Sequence, residues 1–163
     1  MNLEVVPSIE EDGKMMVRLY QQEGVLRYFP MIDLREIEDA VRVWEIFCKK
    51  GASLTAVVEG VRCGVAYLNL QPYKKFEHQC LITIIVDENY RNKGVGTALL
   101  KALFNLAKET FHLEMLHLEV YETNPAIRLY ERMGFTSFGV QKHFIKENGS
   151  FIGKTLMQCK ISL

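Results

Sequence analysis

One stretch of the chain decides the fold: Leu81-Ile82-Thr83-Ile84-Ile85-Val86-Asp87-Glu88-Asn89-Tyr90-Arg91-Asn92-Lys93-Gly94-Val95-Gly96. Residues 81–86 are apolar except for one threonine, which predicts a central strand covered on both faces. A polar segment follows, and after its two glycines apolar residues recur at helical spacing to about Glu109. The stretch therefore predicts a buried strand, a turn and a helix, in that order.

The turn in this stretch has the chemistry of an anion site. The first amides of a helix are unpaired, and the helix dipole adds about half a positive charge there. Gly94 and Gly96 would let a phosphate approach the main chain, while Arg91 and Lys93 add positive charge. No Gly-Lys-Ser/Thr of a P-loop follows, and the dinucleotide fingerprint is incomplete because Leu99 replaces its third glycine. The turn thus predicts a pyrophosphate site of another kind, although a structural turn with solvated basic side chains also fits these residues.

The elements around this stretch predict one domain over residues 1–163, without linkers or repeats. Short connections at 59–60 and 71–72 favour antiparallel neighbours. Helices are expected from about 8 to 24, from Asp33 to Gly51, from the end of the glycine turn to about Glu109, and from Asn124 to Gly134. In the second helix Asp33 can cap the first turn, and the apolar residues Ile37, Val41, Trp44 and Cys48 follow helical spacing. Strands are expected at 3–6, 53–58, 63–70, 79–86, 115–120, 136–145 and 150–161.

The composition excludes several classes of protein. The 163 residues are 48% hydrophobic and 25% charged, with 20 Lys and Arg against 20 Asp and Glu. This balance argues against an extended nucleic-acid or membrane partner, because both select a strongly basic face. The four cysteines form no CxxC pair, and we predict no metal site. The start of the chain lacks the pattern of a signal peptide, which predicts a cytoplasmic protein.

A second block, about thirty residues after the turn, carries a family resemblance. It is Leu118-Glu119-Val120-Tyr121-Glu122-Thr123-Asn124-Pro125-Ala126-Ile127-Arg128-Leu129-Tyr130-Glu131-Arg132-Met133-Gly134-Phe135. Together with Arg-x-x-Gly-x-Gly at 91–96, it resembles the GCN5-related N-acetyltransferase (GNAT) family, especially its amino-acid, phosphinothricin and ribosomal-protein alanine branches. The specific resemblance covers residues 79–136.

The resemblance implies both a fold and an activity. The fold is an α/β (α+β) domain with a mixed, mostly antiparallel sheet and about four flanking helices, in which two splayed parallel strands form the cofactor cleft. The activity is that of an N-acetyltransferase, which moves the acetyl group of acetyl-coenzyme A to a primary amine of a small molecule or protein by direct attack. The alternative is a catalytically inactive acetyl-coenzyme A sensor.

The resemblance also implies which residues form the cofactor site. The main chain of Ile84–Val86 would pair with the pantetheine arm, and the turn would hold the pyrophosphate. Tyr130 would act as general acid on the thioester sulfur. The implied cofactor-binding residues are Ile84, Ile85, Val86, Arg91, Asn92, Lys93, Gly94, Val95, Gly96, Thr97, Asn124 and Tyr130.

The general base has more than one candidate. Many relatives carry a glutamate on the strand before the turn, but Cys80 occupies that position here. Glu119 matches the base of bacterial ribosomal-protein alanine acetyltransferases, and strand alternation places it on one face with His117 and Tyr121. His78 is the rival, since histidine titrates near neutral pH. A chain of water molecules could replace both.

The acceptor stays open at this point. Tyr28, Phe29 and Tyr73 are candidates to line its pocket. The C-terminal hairpin resembles that of the amino-acid acetyltransferases, except that Gly153 stands where they carry aspartate. A protein N-terminus, a lysine, a free amino acid, a polyamine and an aminoglycoside all remain candidate acceptors, and neither a longer acyl group nor a homodimer is excluded.

Overall fold

The computed structural model describes residues 1–161, which contain seven strands and four α-helices. Short 3-10 segments lie at Leu26–Tyr28, Lys74–Phe76 and Glu88–Tyr90. The strands are β1 (Leu3–Pro7), β2 (Ser53–Val58), β3 (Val61–Asn69), β4 (Gln79–Val86), β5 (Met115–Tyr121), β6 (Thr136–Glu147) and β7 (Ser150–Lys160). The helices are α1 (Asp12–Tyr20), α2 (Leu34–Lys49), α3 (Val95–Glu109) and α4 (Ile127–Arg132).

The strands form one mixed sheet in the order β1-β2-β3-β4-β5-β7-β6. Every neighbouring pair is antiparallel except β4 and β5, which run parallel. This parallel pair is short, because only 79–81 pair with 115–117. Both strands continue past that point, β4 to Val86 and β5 to Tyr121, without pairing to each other. The predicted sheet, with a splayed parallel pair at its centre, is therefore confirmed.

One face of the sheet is covered by α1 and α2. The apolar residues of α2 fall at helical spacing, so that Ile37, Val41 and Trp44 are all buried. The predicted cap is present, since the Asp33 carboxylate accepts a hydrogen bond from the backbone N–H of Glu36 at 2.9 Å. The Trp44 indole N–H donates to the Ser53 hydroxyl at 2.8 Å, which ties the helix to β2.

The opposite face is covered by α3 and α4. Leu99, Leu100 and Leu103 are fully buried and pack with alternate residues of β4 and β5. The regular part of α4 begins later than predicted from Asn124-Pro125. The Asn124 side-chain oxygen accepts from the Ala126 N–H at 2.9 Å and thus caps the turn before the helix. No helix within residues 1–161 is long and apolar enough to cross a membrane.

Candidate active site

The carboxyl ends of β4 and β5 bring together four connections of the chain. Asp87, at the end of β4, is buried and accepts hydrogen bonds from Arg18 at 3.2 Å and Gln22 at 3.0 Å, which brings the α1–α2 loop to this end. Burial alone would raise the pKa of Asp87, but its hydrogen bonds outweigh burial and lower that pKa. The turn before α3, the β5–α4 connection and the β6–β7 hairpin tip lie at the same end.

The turn at residues 91–96 is held by local hydrogen bonds. The Arg91 side chain donates to the Val86 carbonyl at 3.3 Å, and the Lys93 ammonium donates to the Asn89 carbonyl at 2.9 Å. Gly94 is the N-cap of α3, with a φ of 81° and no capping side chain. The first amides of α3 thus lack a side-chain cap beside two cations, a combination that fits a pyrophosphate.

The two glycines of the turn serve different purposes. A Cβ atom on Gly94 would meet nothing within 4 Å, so its left-handed conformation is what requires glycine. A Cβ atom on Gly96 would lie 3.0 Å from Cδ2 of Leu129, on α4. Gly96 therefore lets α4 pack against α3, and its predicted role in the approach of a phosphate stays a proposal.

The gap between β4 and β5 offers a free strand edge. Ile84, Ile85 and Val86 pair with β3 on one side, while their other side faces the gap. A free edge of this kind presents backbone N–H and C=O groups to an extended chain that carries amides. Pantetheine is such a chain, so the edge fits the predicted cofactor arm.

Tyr130 lies on α4, on the side of the sheet that α3 covers. Its side chain is almost fully buried, and its ring packs edge-on against Phe135 at a centroid distance of 6.1 Å. Burial raises the pKa of Tyr130 to about 12. The phenol is consequently protonated at neutral pH, as a proton donor must be.

Glu119 lies on the other face of β5 and is not a free carboxylate. Its Oε2 atom accepts a hydrogen bond from the Lys154 ammonium of β7 at 2.9 Å. The Glu119 side chain is 43% exposed, whereas that of Lys154 is 8% exposed and lies 3.7 Å from the centre of the Phe144 ring. Sequence reasoning missed Lys154, because no motif shows which lysine of β7 will face Glu119.

Comparisons with known proteins agree with this architecture. A sequence model described as the acetyltransferase (GNAT) family matches residues 16–135. An N-alpha-acetyltransferase of Sulfurisphaera tokodaii is 35% identical over 129 residues, which span 78% of this chain and 74% of the relative. The chain belongs to the GNAT acetyltransferase family. It is an N-acetyltransferase, and the predicted family is confirmed.

Two determined structures match nearly the whole acetyltransferase. The ribosomal-protein-alanine N-acetyltransferase of Brucella melitensis has a TM-score of 0.81 at 25% identity and covers 96% of this chain and 99% of its own. A phosphinothricin acetyltransferase of Sinorhizobium meliloti, determined with acetyl-coenzyme A, has a TM-score of 0.81 at 21% identity. The match covers 99% of this chain and 90% of the Sinorhizobium chain. At the level of the family, acetyl-coenzyme A is the cosubstrate, as predicted.

Two of the predicted site residues lie at the other end of β4. His78 is exposed, and its carbonyl accepts hydrogen bonds from the N–H groups of Glu114 at 2.8 Å and Met115 at 3.3 Å. At a rise of about 3.3 Å per residue, His78 lies about 26 Å along β4 from Val86. Tyr73 is 67% exposed, on the connection just before His78. Neither residue joins Tyr130 and Glu119.

The other predicted acceptor residues lie on the α1–α2 loop, at the same end as the turn. Tyr28 is half-buried under the Arg27 guanidinium, and the Phe29 ring packs edge-on against Tyr20 at 5.0 Å. A surface depression of about 430 Å³ opens beside this loop. A second depression, of about 460 Å³, lies between α3 and the end of β7 near Cys159, remote from the splayed strands.

Two further side chains bear on the choice of base. Cys80 is fully buried, and burial raises the pKa of its thiol to about 12, so the thiol stays protonated. His117, opposite Leu81 at the last β4–β5 pair, has a pKa lowered by burial, against which the Glu119 charge acts in part. A neutral imidazole at this point is a base candidate that the sequence reasoning placed beside Glu119 without assigning it a role.

Gly153, which stands where the amino-acid acetyltransferases carry aspartate, lies beside a carboxylate from another strand end. The Glu122 carboxylate accepts the Gly153 N–H at 3.1 Å, and a Cβ atom on residue 153 would lie 2.7 Å from Cδ of Glu122. A carboxylate thus lies against position 153, supplied by the end of β5 instead of by β7. Within residues 1–161, no cluster of three or more His, Cys, Asp or Glu side chains could hold a metal ion.

Proposed function

We propose that this acetyltransferase moves the acetyl group of acetyl-coenzyme A to a primary amine of a small molecule or protein by direct attack. The observation that carries the proposal is the gap between β4 and β5, with a phenol on one face of the sheet and a carboxylate on the other. A proton donor and a proton acceptor on opposite sides suit a reaction in which the amine arrives from one side and the thiolate leaves toward the other.

The proposed reaction has one covalent exchange. The amine nitrogen attacks the thioester carbonyl carbon, a C–N bond forms, and the C–S bond breaks. The nitrogen loses a proton to the base, and the sulfur gains one from Tyr130. With a usual pKa near 10.4, a lysine amine is about 1 part in 2,500 neutral at pH 7, whereas an α-amine near 7.9 is about one tenth neutral. The base therefore matters more for a lysine acceptor.

Glu119 is the base that the geometry supports best. It lies two residues beyond the last β4–β5 pair, where the strands have begun to separate. Lys154 holds one of its oxygens in place, and the side chain remains partly open to solvent. His78, at the far end of β4, is the alternative from the sequence; His117 and a water chain are the others.

The proposed cofactor contacts follow from the same geometry. The free edge of Ile84–Val86 would bind the pantetheine arm, and the amides of Gly94–Thr97 with Arg91 and Lys93 would bind the pyrophosphate. Asn92 completes the turn with a φ of 57°, and Asn124 stands at the entry to α4. Tyr28 and Phe29 stay proposed acceptor contacts, whereas Tyr73 lies at the other end of β4, too far from the splayed strands to contact the same acceptor.

Thiol release from acetyl-coenzyme A across a panel of amines tests the proposal, with mass spectrometry of the products. We expect release that depends on the amine and an acetylated amine of matching mass. Isothermal titration with coenzyme A serves as the control for binding. Binding without release from any amine would identify the non-catalytic sensor instead, and a lack of binding at millimolar concentration would refute the cofactor site.

Assembly and location stay predictions. A homodimer is proposed, and light scattering on the eluting protein tests it. The predicted cytoplasmic location is tested by fractionating cells that express the protein.

A further inference from the structure

Tyr121, the last residue of β5, has a buried hydroxyl group without a partner. The residue is 6% exposed, and among residues 1–161 its hydroxyl is the buried side-chain oxygen or nitrogen that makes no hydrogen bond. Buried polar groups in folded proteins are almost always paired, because an unpaired one has lost its water without replacement. An unpaired phenol beside the proposed reaction site therefore points to a ligand that accepts a hydrogen bond from its hydroxyl group.

Lys154 stands next to this phenol. The two residues are directly opposite each other on β5 and β7, so their side chains project from the same face of the sheet at neighbouring positions. The Lys154 ammonium uses one N–H on Glu119 at 2.9 Å, and the Phe144 ring covers it at 3.7 Å. A buried ammonium with further N–H groups and an orphan O–H together form a donor pair for an anion.

Phe144 covers this donor pair from a bulge in β6. Gln141 pairs with Lys154 and Ile145 pairs with Ile152, so the three residues between them on β6 face the single residue Gly153. His143, within this bulge, has a φ of 58°. Because β6 is the edge strand and the bulge has no partners in the β7 register, a displacement of the Phe144 ring would leave the pairing on either side intact and would open the donor pair to a ligand.

We propose that Lys154 and Tyr121 bind a carboxylate of the acceptor, and hence that the acceptor is a free α-amino acid. This inference rests on the proposed function. In an α-amino acid one carbon separates the amine from the carboxylate. A carboxylate on Lys154 consequently brings the amine to Glu119, which Lys154 already contacts. A polyamine has no anion for this pair, and a peptide N-terminus offers only a neutral carbonyl at that place.

Charges around the pair agree with a zwitterion. Burial raises the pKa of the Tyr121 phenol, and the charges of Glu119 and Glu147 add to this effect, so the phenol stays protonated as a donor. An anion alone would meet repulsion from these carboxylates. A zwitterion places its amine toward Glu119 and its carboxylate toward Lys154, so each charge meets an opposite one.

The test compares free L-amino acids with their α-carboxamides, which keep the amine and side chain but lose the negative charge. Thiol release gives kcat/KM for each acid and its amide, with spermidine as the polyamine. We expect kcat/KM of the best free amino acid to exceed that of its amide at least tenfold. In Lys154→Met and in Tyr121→Phe, that ratio should fall about tenfold, the usual effect of losing a hydrogen bond to a charged group.

The matched control is Lys146→Met. Lys146 lies on the same hairpin, and its ammonium also lies over a phenylalanine ring, that of Phe151 at 5.7 Å, away from Glu119. Its ratio of acid to amide should equal that of the wild type. Tyr121→Phe removes one unpaired oxygen and keeps the ring, so it remains usable if Lys154→Met does not fold.

The outcomes separate this inference from the proposed function. The inference is overturned if kcat/KM is equal for acids and amides, or if the ratio of the two is unchanged in both variants. Acetylation of spermidine or peptides alone also overturns it but leaves the proposed function intact. No release with any amine refutes the proposed function. Titration of free amino acids onto the protein saturated with coenzyme A then still decides the inference. Binding to the wild type that is lost in Lys154→Met supports the inference, and no binding to the wild type overturns it.

Discussion

Replacing each glycine of the turn by alanine gives a matched pair of variants with opposite expected effects. Gly94 has a φ of 81° and open space around its Cβ position, so alanine there clashes with nothing but adopts a left-handed conformation. That conformation costs about 1–2 kcal/mol in an L-residue. For a domain of this size we expect Tm to fall by about 2–8 °C.

Gly96 lies within α3, where its conformation suits alanine, but the added Cβ atom would contact the Leu129 side chain. Alanine gains about 1 kcal/mol of helix propensity over glycine, which offsets the tight 3.0 Å contact with Cδ2 of Leu129. We expect Tm to change little. However, Leu129 precedes Tyr130 on α4, and its displacement moves the proposed acid. Since a misplacement of 1 Å can cost about 10²-fold in rate, a shift of a few tenths of an ångström should lower kcat by several-fold.

The two assays are titration with coenzyme A and steady-state thiol release. Gly94→Ala should weaken coenzyme A binding at least tenfold, because its methyl group enters the open space at the N-cap of α3, where we propose that the pyrophosphate binds. Gly96→Ala should bind coenzyme A nearly as the wild type does and have a lower kcat. The reverse pattern would refute this reasoning. If Gly96→Ala lost affinity with kcat unchanged, Gly96 would serve the phosphate and not the packing of α4.

Three further changes follow from the structure. Tyr130→Phe should lower kcat by about 10²–10⁴-fold while coenzyme A affinity is kept, and an unchanged kcat would remove this residue from the mechanism. Glu119→Gln should lower kcat/KM to a similar degree; an unchanged kcat/KM would favour His78, His117 or water as the base. Asp12, buried against Arg62 and Thr55, has a pKa that burial would raise but that its hydrogen bonds lower overall. Its folded pKa thus lies below the unfolded 3.8, so its stabilisation should be complete above about pH 4 and be lost as pH falls through the folded value. In Asp12→Asn, urea unfolding at pH 7 should show a free energy of unfolding lower by about 2 kcal/mol, the size expected for a hydrogen bond to a charged group, and a weaker acid dependence. An unchanged pH profile would contradict the assignment.

Much of the fold was predictable because its signals are local. The Asp33 cap and the spacing of Ile37, Val41 and Trp44 lie within one helix, and both predictions are confirmed. The antiparallel order followed from short turns. The parallel pairing of β4 with β5 carries no local signal, and the resemblance to a family was needed to predict it.

The candidate site was predictable in part. The turn at 91–96, Glu119 and Tyr130 lie around the splayed strands, whereas His78 and Tyr73 lie at the other end of β4. The predicted strand at 79–86 already separates these groups, because eight residues place its two ends about 23 Å apart, and the sequence reasoning did not use that length. The role of each residue stays a proposal.

The sequence by itself determined the order of the elements, a glycine-rich turn between β4 and α3 and, through two motifs, the family. Only the tertiary structure decided which charges meet. Lys154 and Glu119 are 35 residues apart, and Arg62 and Asp12 are 50 apart. These pairs depend on which strands become neighbours, which is set by packing of the whole sheet. Propensity and periodicity act over only a few residues and contain no such information.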